Sequence, residues 1–107
     1  MKKIEIIELP KIYDPRGSLT VAEENTHIPF DIKRMEWIHL GAIQPETPIE
    51  LGESPVMLIA LAGEITIQIM EEGTLKLTRP NQALILREAC KSSIIDSTEH
   101  SLLLTIH

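Results

Sequence analysis

Turn signals interrupt this chain roughly every 8–12 residues, and that spacing limits its fold more than any other feature. Ile4 to Leu9 is a short Ile-rich run that Pro10 stops. In Tyr13-Asp14-Pro15-Arg16-Gly17, Pro presets φ, Asp bonds its own backbone and Gly tolerates positive φ, so a tight turn is expected. Ser18 to Glu23 alternates, with Leu19 and Val21 on one side, and His27-Ile28-Pro29-Phe30 reads as a loop. Ile32 to Leu40 alternates again: Ile32, Arg34, Glu36, Ile38 and Leu40 share one face, and Lys33, Met35, Trp37 and His39 the other. Gly41 to Pro55 carries Pro45, Pro48 and Pro55, so it reads as a loop or an irregular edge strand, because Pro cannot donate to a ladder. Val56 to Leu61 has the continuous apolar character of a buried strand. Ala62-Gly63-Glu64, Glu71-Glu72-Gly73-Thr74 and Arg79-Pro80-Asn81-Gln82 are turns. Between and after them lie alternating Ile65, Ile67 and Ile69, then Leu75 and Leu77, Ala83 to Leu86, Ser93 to Ile95, and Leu102 to Ile106. The count is about nine short strands, with one weak helical turn near Ala22 to Thr26. The pattern predicts an all-β sandwich or barrel.

At 107 residues, the chain is expected to form one domain, residues 1–107. Its apolar share of 43% is enough to offset chain entropy, which excludes a disordered segment. Only Tyr13, Phe30 and Trp37 are aromatic, so Ile, Leu and Val must build the core. Sixteen acids against ten bases leave a formal net charge of −6, and phosphate backbones repel such a surface, so no nucleic-acid partner is expected. Cys90 is alone and forms no intrachain disulfide. Met1-Lys2-Lys3-Ile4-Glu5 has no long apolar run behind it, and no stretch approaches the ~20 apolar residues of a membrane helix. A cytoplasmic protein without a membrane partner is expected.

Generic chemistry is sparse. There is no Gly-rich phosphate loop, no CxxC pair and no G-x-S-x-G. His27, His39, His100 and His107 are scattered, and no H-x-H places two rings on one strand face, so neither a metal nor another cofactor is expected. Lys91 beside Cys90 would favour a thiolate, while a small residue at a strand start explains Cys90 as well. Glu71-Glu72 reads as a solvated hairpin tip. Trp37 and His39, two apart on one strand, suit stacking on a ring and bonding a hydroxyl, and suit equally a core Trp with a satisfied His at the rim. Arg16 in its turn has the geometry to clamp a phosphate, or simply to be an exposed Arg.

Three pieces occur in order. They are Ile7-Glu8-Leu9-Pro10-Lys11-Ile12-Tyr13-Asp14-Pro15-Arg16-Gly17-Ser18-Leu19-Thr20-Val21-Ala22-Glu23-Glu24, then Ile28-Pro29-Phe30-Asp31-Ile32-Lys33-Arg34, then Leu58-Ile59-Ala60-Leu61-Ala62-Gly63 with Arg79-Pro80-Asn81-Gln82. Together they resemble the sugar 3,4-ketoisomerase family of the cupin superfamily, over nearly the whole chain. Members of that family act on thymidine-diphosphate-linked 4-keto-6-deoxyglucose. The resemblance implies a cupin-type jelly-roll (double-stranded β-helix) barrel, a homodimer and no metal. It also implies a reaction that moves a carbonyl from C4 to C3 through an enediol, with histidines of an H-x-H pair carrying the protons. Arg16 and Arg34 match arginines that help hold the nucleotide diphosphate. Trp37 and His39 complete the expected ligand-binding set.

The departures fall on the chemistry. Counted back without gaps from Gly63, the two histidine positions are Ile49 and Leu51, and neither side chain carries a proton. Loss of a general acid/base costs ~10²–10⁴ in rate, about 3–5 kcal/mol of barrier. Glu36 stands where an aromatic residue is expected before Trp37, and Lys91, Ser92 and Ser93 stand where a Trp and a polar partner are expected. Three readings follow. The chain binds a nucleotide sugar without isomerase activity; or it is an active isomerase with a replacement base, His39, Glu36 or His100; or it is a structural or regulatory domain whose pocket Ile49 and Leu51 close. Dimerisation is expected in each, since short barrels cover their edge strands that way.

Overall fold

The computed structural model describes residues 4–24, 26–42, 48–53, 55–70, 72–87 and 91–107. Cys90, Glu71 and the 43–47 stretch with Pro45 lie outside the described residues. The described residues form eleven strands: β1 (Ile4–Glu8), β2 (Lys11–Asp14), β3 (Gly17–Thr20), β4 (Met35–Leu40), β5 (Ile49–Glu53), β6 (Val56–Ala62), β7 (Ile65–Ile69), β8 (Gly73–Leu77), β9 (Gln82–Leu86), β10 (Lys91–Ser97) and β11 (Ser101–Ile106). A five-stranded antiparallel sheet in the order β1-β9-β6-β11-β4 faces a four-stranded one in the order β5-β10-β7-β8. This is the all-β architecture that the strand spacing predicts, in the jelly-roll form that the resemblance implies. The small β2–β3 hairpin forms its own two-stranded sheet.

Two strands go beyond the expected nine. Residues 49–53 pair with β10, through a register shift, as the edge strand of the smaller sheet. Pro48 and Pro55 bracket that strand rather than interrupt it. Lys11–Asp14 pairs with β3 around Pro15-Arg16. Near the expected helical turn at Ala22 the described residues form a single turn and no helix: Thr26, His27 and Ile28 all donate backbone bonds to the Glu23 carbonyl, and Glu24 bridges to Ile28.

The larger sheet is apolar on both faces, which explains why β6 and β9 read as unbroken hydrocarbon. Inward, Val56, Leu58, Ala60, Leu84, Leu86 and Leu103 meet Ile65, Ile67, Ile69, Leu77 and Ile94 of the smaller sheet. Outward, Met57, Ile59, Ala83, Ile85 and Ile106 are covered by Leu9 and Ile28, with Phe30 and Ile32 packed at the side. Ile28 is fully buried there, which is worth ~1.5–3 kcal/mol. The loop before β4 is thus a lid over the outer core, and it delivers β4 to the sheet edge.

Among the described residues, backbone with positive φ closes hairpins, at Gly73 (φ 117°) between β7 and β8 and at two further turns. Gly63 (φ 75°) turns β6 into β7, and His100 (φ 60°) is the last residue of the three-residue β10–β11 connection. Among the described residues, no helix is long and apolar enough to cross a membrane.

Candidate ligand site

The register of the larger sheet decides which face of β4 looks into the barrel. Ser101 pairs with Leu40, Leu103 with Ile38 and Thr105 with Glu36. Leu40 and Leu103 belong to the inner core, and Ile38 packs against it. Glu36 and Thr105 continue that inward row toward one end of the barrel. Pairing extends one residue past both strands: the His107 amide donates to the Arg34 carbonyl (2.7 Å), and the Arg34 amide donates to the His107 carbonyl (3.0 Å).

Four polar side chains meet at this end. Arg34 Nε lies 3.0 Å from Glu36 Oε1. On the other side of the same carboxylate oxygen stands His107 Nε2, at 3.6 Å. His107 Nε2 is also 3.2 Å from Thr105 Oγ1. Arg34 and Glu36 are about half-exposed or more, so their attraction is screened and stabilises the fold little. The His107 side chain is only 17% exposed. Burial pushes its pKa below the ordinary value, the Arg34 charge pushes the same way, and Glu36 opposes them. The imidazole is therefore neutral at pH 7.

The smaller sheet supplies the opposite wall. Residues 54 and 55 alone join β5 to β6, and residues 87–90 join β9 to β10, so Leu51 and Ser92 sit at the same end as Val56 and Leu86. Met57 pairs with Ile106, which puts Val56 beside His107. Leu51 is 7% exposed and belongs to the inner core; Ile49 packs against that core. The positions that the resemblance gives to imidazoles are therefore hydrocarbon wall. Ser92 pairs with Ile69, is 4% exposed, and its Oγ has no hydrogen-bond partner among the described residues.

The four residues expected to hold ligand do not converge. Arg34 lies at the end just described. Trp37 and His39 occupy the outward face of β4, because the hydrocarbon of Ile38 and Leu40 claims the inward one. Neither arrangement that their spacing suits is directed into the barrel, and Trp37, 60% exposed, is not a core residue. His39 instead borders a shallow cleft of about 400 Å³ with Gly41, Glu99 and His100, at the barrel end opposite Arg34. Arg16 is at the exposed tip of the β2–β3 hairpin. Of the suggested replacement bases, only Glu36 faces inward. His107 and Thr105 were not singled out in the sequence. The signal was there: after the Leu102-Leu103-Leu104 run, Thr105-x-His107 puts two polar residues on the inward side of the strand and its extension. Among the described residues, no three His, Cys, Asp or Glu side chains are arranged to hold a metal ion.

The model of the FdtA family, described as WxcM-like, C-terminal, matches residues 2–107. A curated relative, TDP-4-oxo-6-deoxy-alpha-D-glucose-3,4-oxoisomerase of Aneurinibacillus thermoaerophilus, is 53% identical over 34 residues, 32% of this chain. That match spans only 24% of the relative's own length. Among solved structures, a double mutant of the 3,4-ketoisomerase QdtA from Thermoanaerobacterium thermosaccharolyticum, in complex with TDP, superposes with a TM-score of 0.83 at 27% identity. That superposition covers 99% of this chain and 80% of QdtA. The TDP-quinovose 3,4-ketoisomerase WlaRB of Campylobacter jejuni gives a TM-score of 0.81 at 27% identity, covering 99% and 85%.

Proposed function

The chain belongs to the FdtA family, and from that membership we propose that it binds a thymidine-diphosphate-linked hexose at the barrel end that carries Arg34. The observation that carries this reading is the position of Arg34. Its guanidinium stands, more than half exposed, at the end of the barrel shared with Ser92 and Leu51. A guanidinium recognises a diphosphate through charge-assisted, bidentate bonds. The structural relatives support the ligand class, since QdtA has been solved with TDP and with TDP-4-keto-6-deoxyglucose. Arg16, on the hairpin tip, is the second candidate phosphate contact. Trp37 and His39 face outward and are left out of the set.

The H-x-H route to ketoisomerisation is not available to this chain, because Ile49 and Leu51 hold no protons. Calorimetric titration with TDP tests the binding reading. Heat with a dissociation constant at or below the millimolar range is expected; no heat at millimolar TDP removes the reading. The place of Leu51 in the inner core favours one alternative, a closed structural or regulatory barrel. That alternative predicts the silent titration.

The assembly we favour is a homodimer. Exposed Met35 and Trp37 on β4, an edge strand of the larger sheet, support it. Light scattering at micromolar concentration should give twice the chain mass, and a monomer refutes it.

A further inference from the structure

We infer that His107 is the proton-transfer group of this barrel end, enolising a 4-keto hexose in place of the imidazoles that Ile49 and Leu51 exclude. This role rests on the nucleotide-sugar reading above. The geometry sets an imidazole beside a hydroxyl and a carboxylate: His107 Nε2 lies 3.2 Å from Thr105 Oγ1, within hydrogen-bond reach, and 3.6 Å from Glu36 Oε1, within ion-pairing reach. The negative Glu36 carboxylate near Nε2 favours the proton of neutral His107 on that nitrogen, where Thr105 Oγ1 accepts it at 3.2 Å. Nδ1 then carries the lone pair. The backbone bonds between His107 and Arg34 fix the residue on the inward row. Arg34 and Glu36 are the charged side chains that the structure places against it, and they supply opposite signs within one ion-paired group. Arg34 also offers positive charge to an oxygen that becomes anionic.

The step balances without a redox partner. His107 Nδ1 takes the proton from C3 of a 4-keto hexose. The C3–H pair becomes the C3=C4 bond, and the carbonyl pair moves to O4, which takes a proton from water. Return of the imidazolium proton to C4, with loss of the O3 proton, leaves the carbonyl at C3. Return to C3 instead regenerates the starting sugar. Either direction exchanges a carbon-bound hydrogen with solvent. Glu36 touches no substrate in this scheme and is a positioning residue.

The test follows deuterium entering TDP-4-keto-6-deoxyglucose by proton NMR in D₂O, with parallel calorimetry using TDP alone. The wild-type chain should exchange faster than buffer. H107Q should fall by ~10²-fold or more. The wild-type rate should rise with pH and level off once the imidazole is neutral. Glu36 raises the pKa of His107, so E36Q should move that midpoint to lower pH, a change that simple loss of packing would not produce. This second variant, with a half-exposed side chain, carries the test even where H107Q fails to fold. TDP heat without exchange overturns the role of His107 and leaves the binding reading standing. Equal exchange by H107Q, or an unmoved midpoint in E36Q, also overturns it. Neither heat nor exchange removes both.

Discussion

Replacing Ser92 by Ala should stabilise this protein, against the usual direction of a core truncation. The Ser92 hydroxyl is buried, its residue pairs across to the aliphatic Ile69, and it finds no hydrogen-bond partner among the described residues. A polar group held this way costs ~1–3 kcal/mol relative to the solvated chain, and Ser92→Ala returns that cost. Against it stands the space vacated by one oxygen. A void of about 10–15 Å³ is the size of one water probe. At ~24 cal/mol per Å³ it costs about 0.3 kcal/mol. The net gain is about 1–2 kcal/mol. With a urea slope of ~2 kcal/mol/M, the unfolding midpoint should rise by about 0.5–1 M. The melting temperature should rise by roughly 4–8 °C. Paired urea titrations of wild type and Ser92→Ala, with equal slopes, make the measurement. A loss of 1 kcal/mol would refute the reasoning, for it would mean that the hydroxyl has a partner and that the barrel end is wet.

Other changes probe the rest of the molecule. Arg34→Gln should weaken TDP binding at least tenfold by calorimetry, since a charge-assisted contact is worth ~1.5–3 kcal/mol. The same change should leave the melting temperature nearly unmoved, because the Arg34–Glu36 pair is more than half in water. Gly63→Ala should lose about 2–4 kcal/mol in urea. The new methyl meets Ser101 Oγ at once and lies 2.8 Å from Thr98 Oγ1, at a φ of 75° that alanine resists. It would break the bonds from Ser101 Oγ to the Thr98 carbonyl and from the Glu64 amide to Thr98 Oγ1. Stability should fall as pH drops below about 6.5: the unfolded chain takes up a proton at His107 with ordinary affinity, whereas burial makes the folded chain resist it. His107→Gln should flatten that limb in chemical melts. Trp37→Ala should leave TDP affinity within twofold by calorimetry, and a larger drop would bring the outward face of β4 into the site.

The sheets were legible in the sequence because turn chemistry and period-two alternation are local. Val56 to Leu61 announced a strand covered on both faces, and Ile65, Ile67 and Ile69 announced one covered on a single face; both statements hold in the structure. Strand β4 shows where local reading stops. Its two faces carry Arg34, Glu36, Ile38 and Leu40 against Met35, Trp37 and His39, and neither pattern is apolar enough to choose the inside. An aromatic ring beside an imidazole is the chemically attractive face, but the free energy is decided by which residues meet Leu103 across the ladder. Burial of Leu40 and part of Ile38 there outweighs the cost of leaving one Trp in water. The same ladder brings His107 to Glu36 across 71 positions of sequence, a pairing that exists only once β11 has taken its place beside β4. Loss of the two expected imidazoles is a fact about single positions and is readable without coordinates. The arrival of another imidazole at the same barrel end is a fact about register. A chain of this family therefore cannot be called chemically inert from its missing motif alone, because the sheet that lost its proton carriers faces one that supplies a His, a carboxylate and a guanidinium within ion-pairing distance.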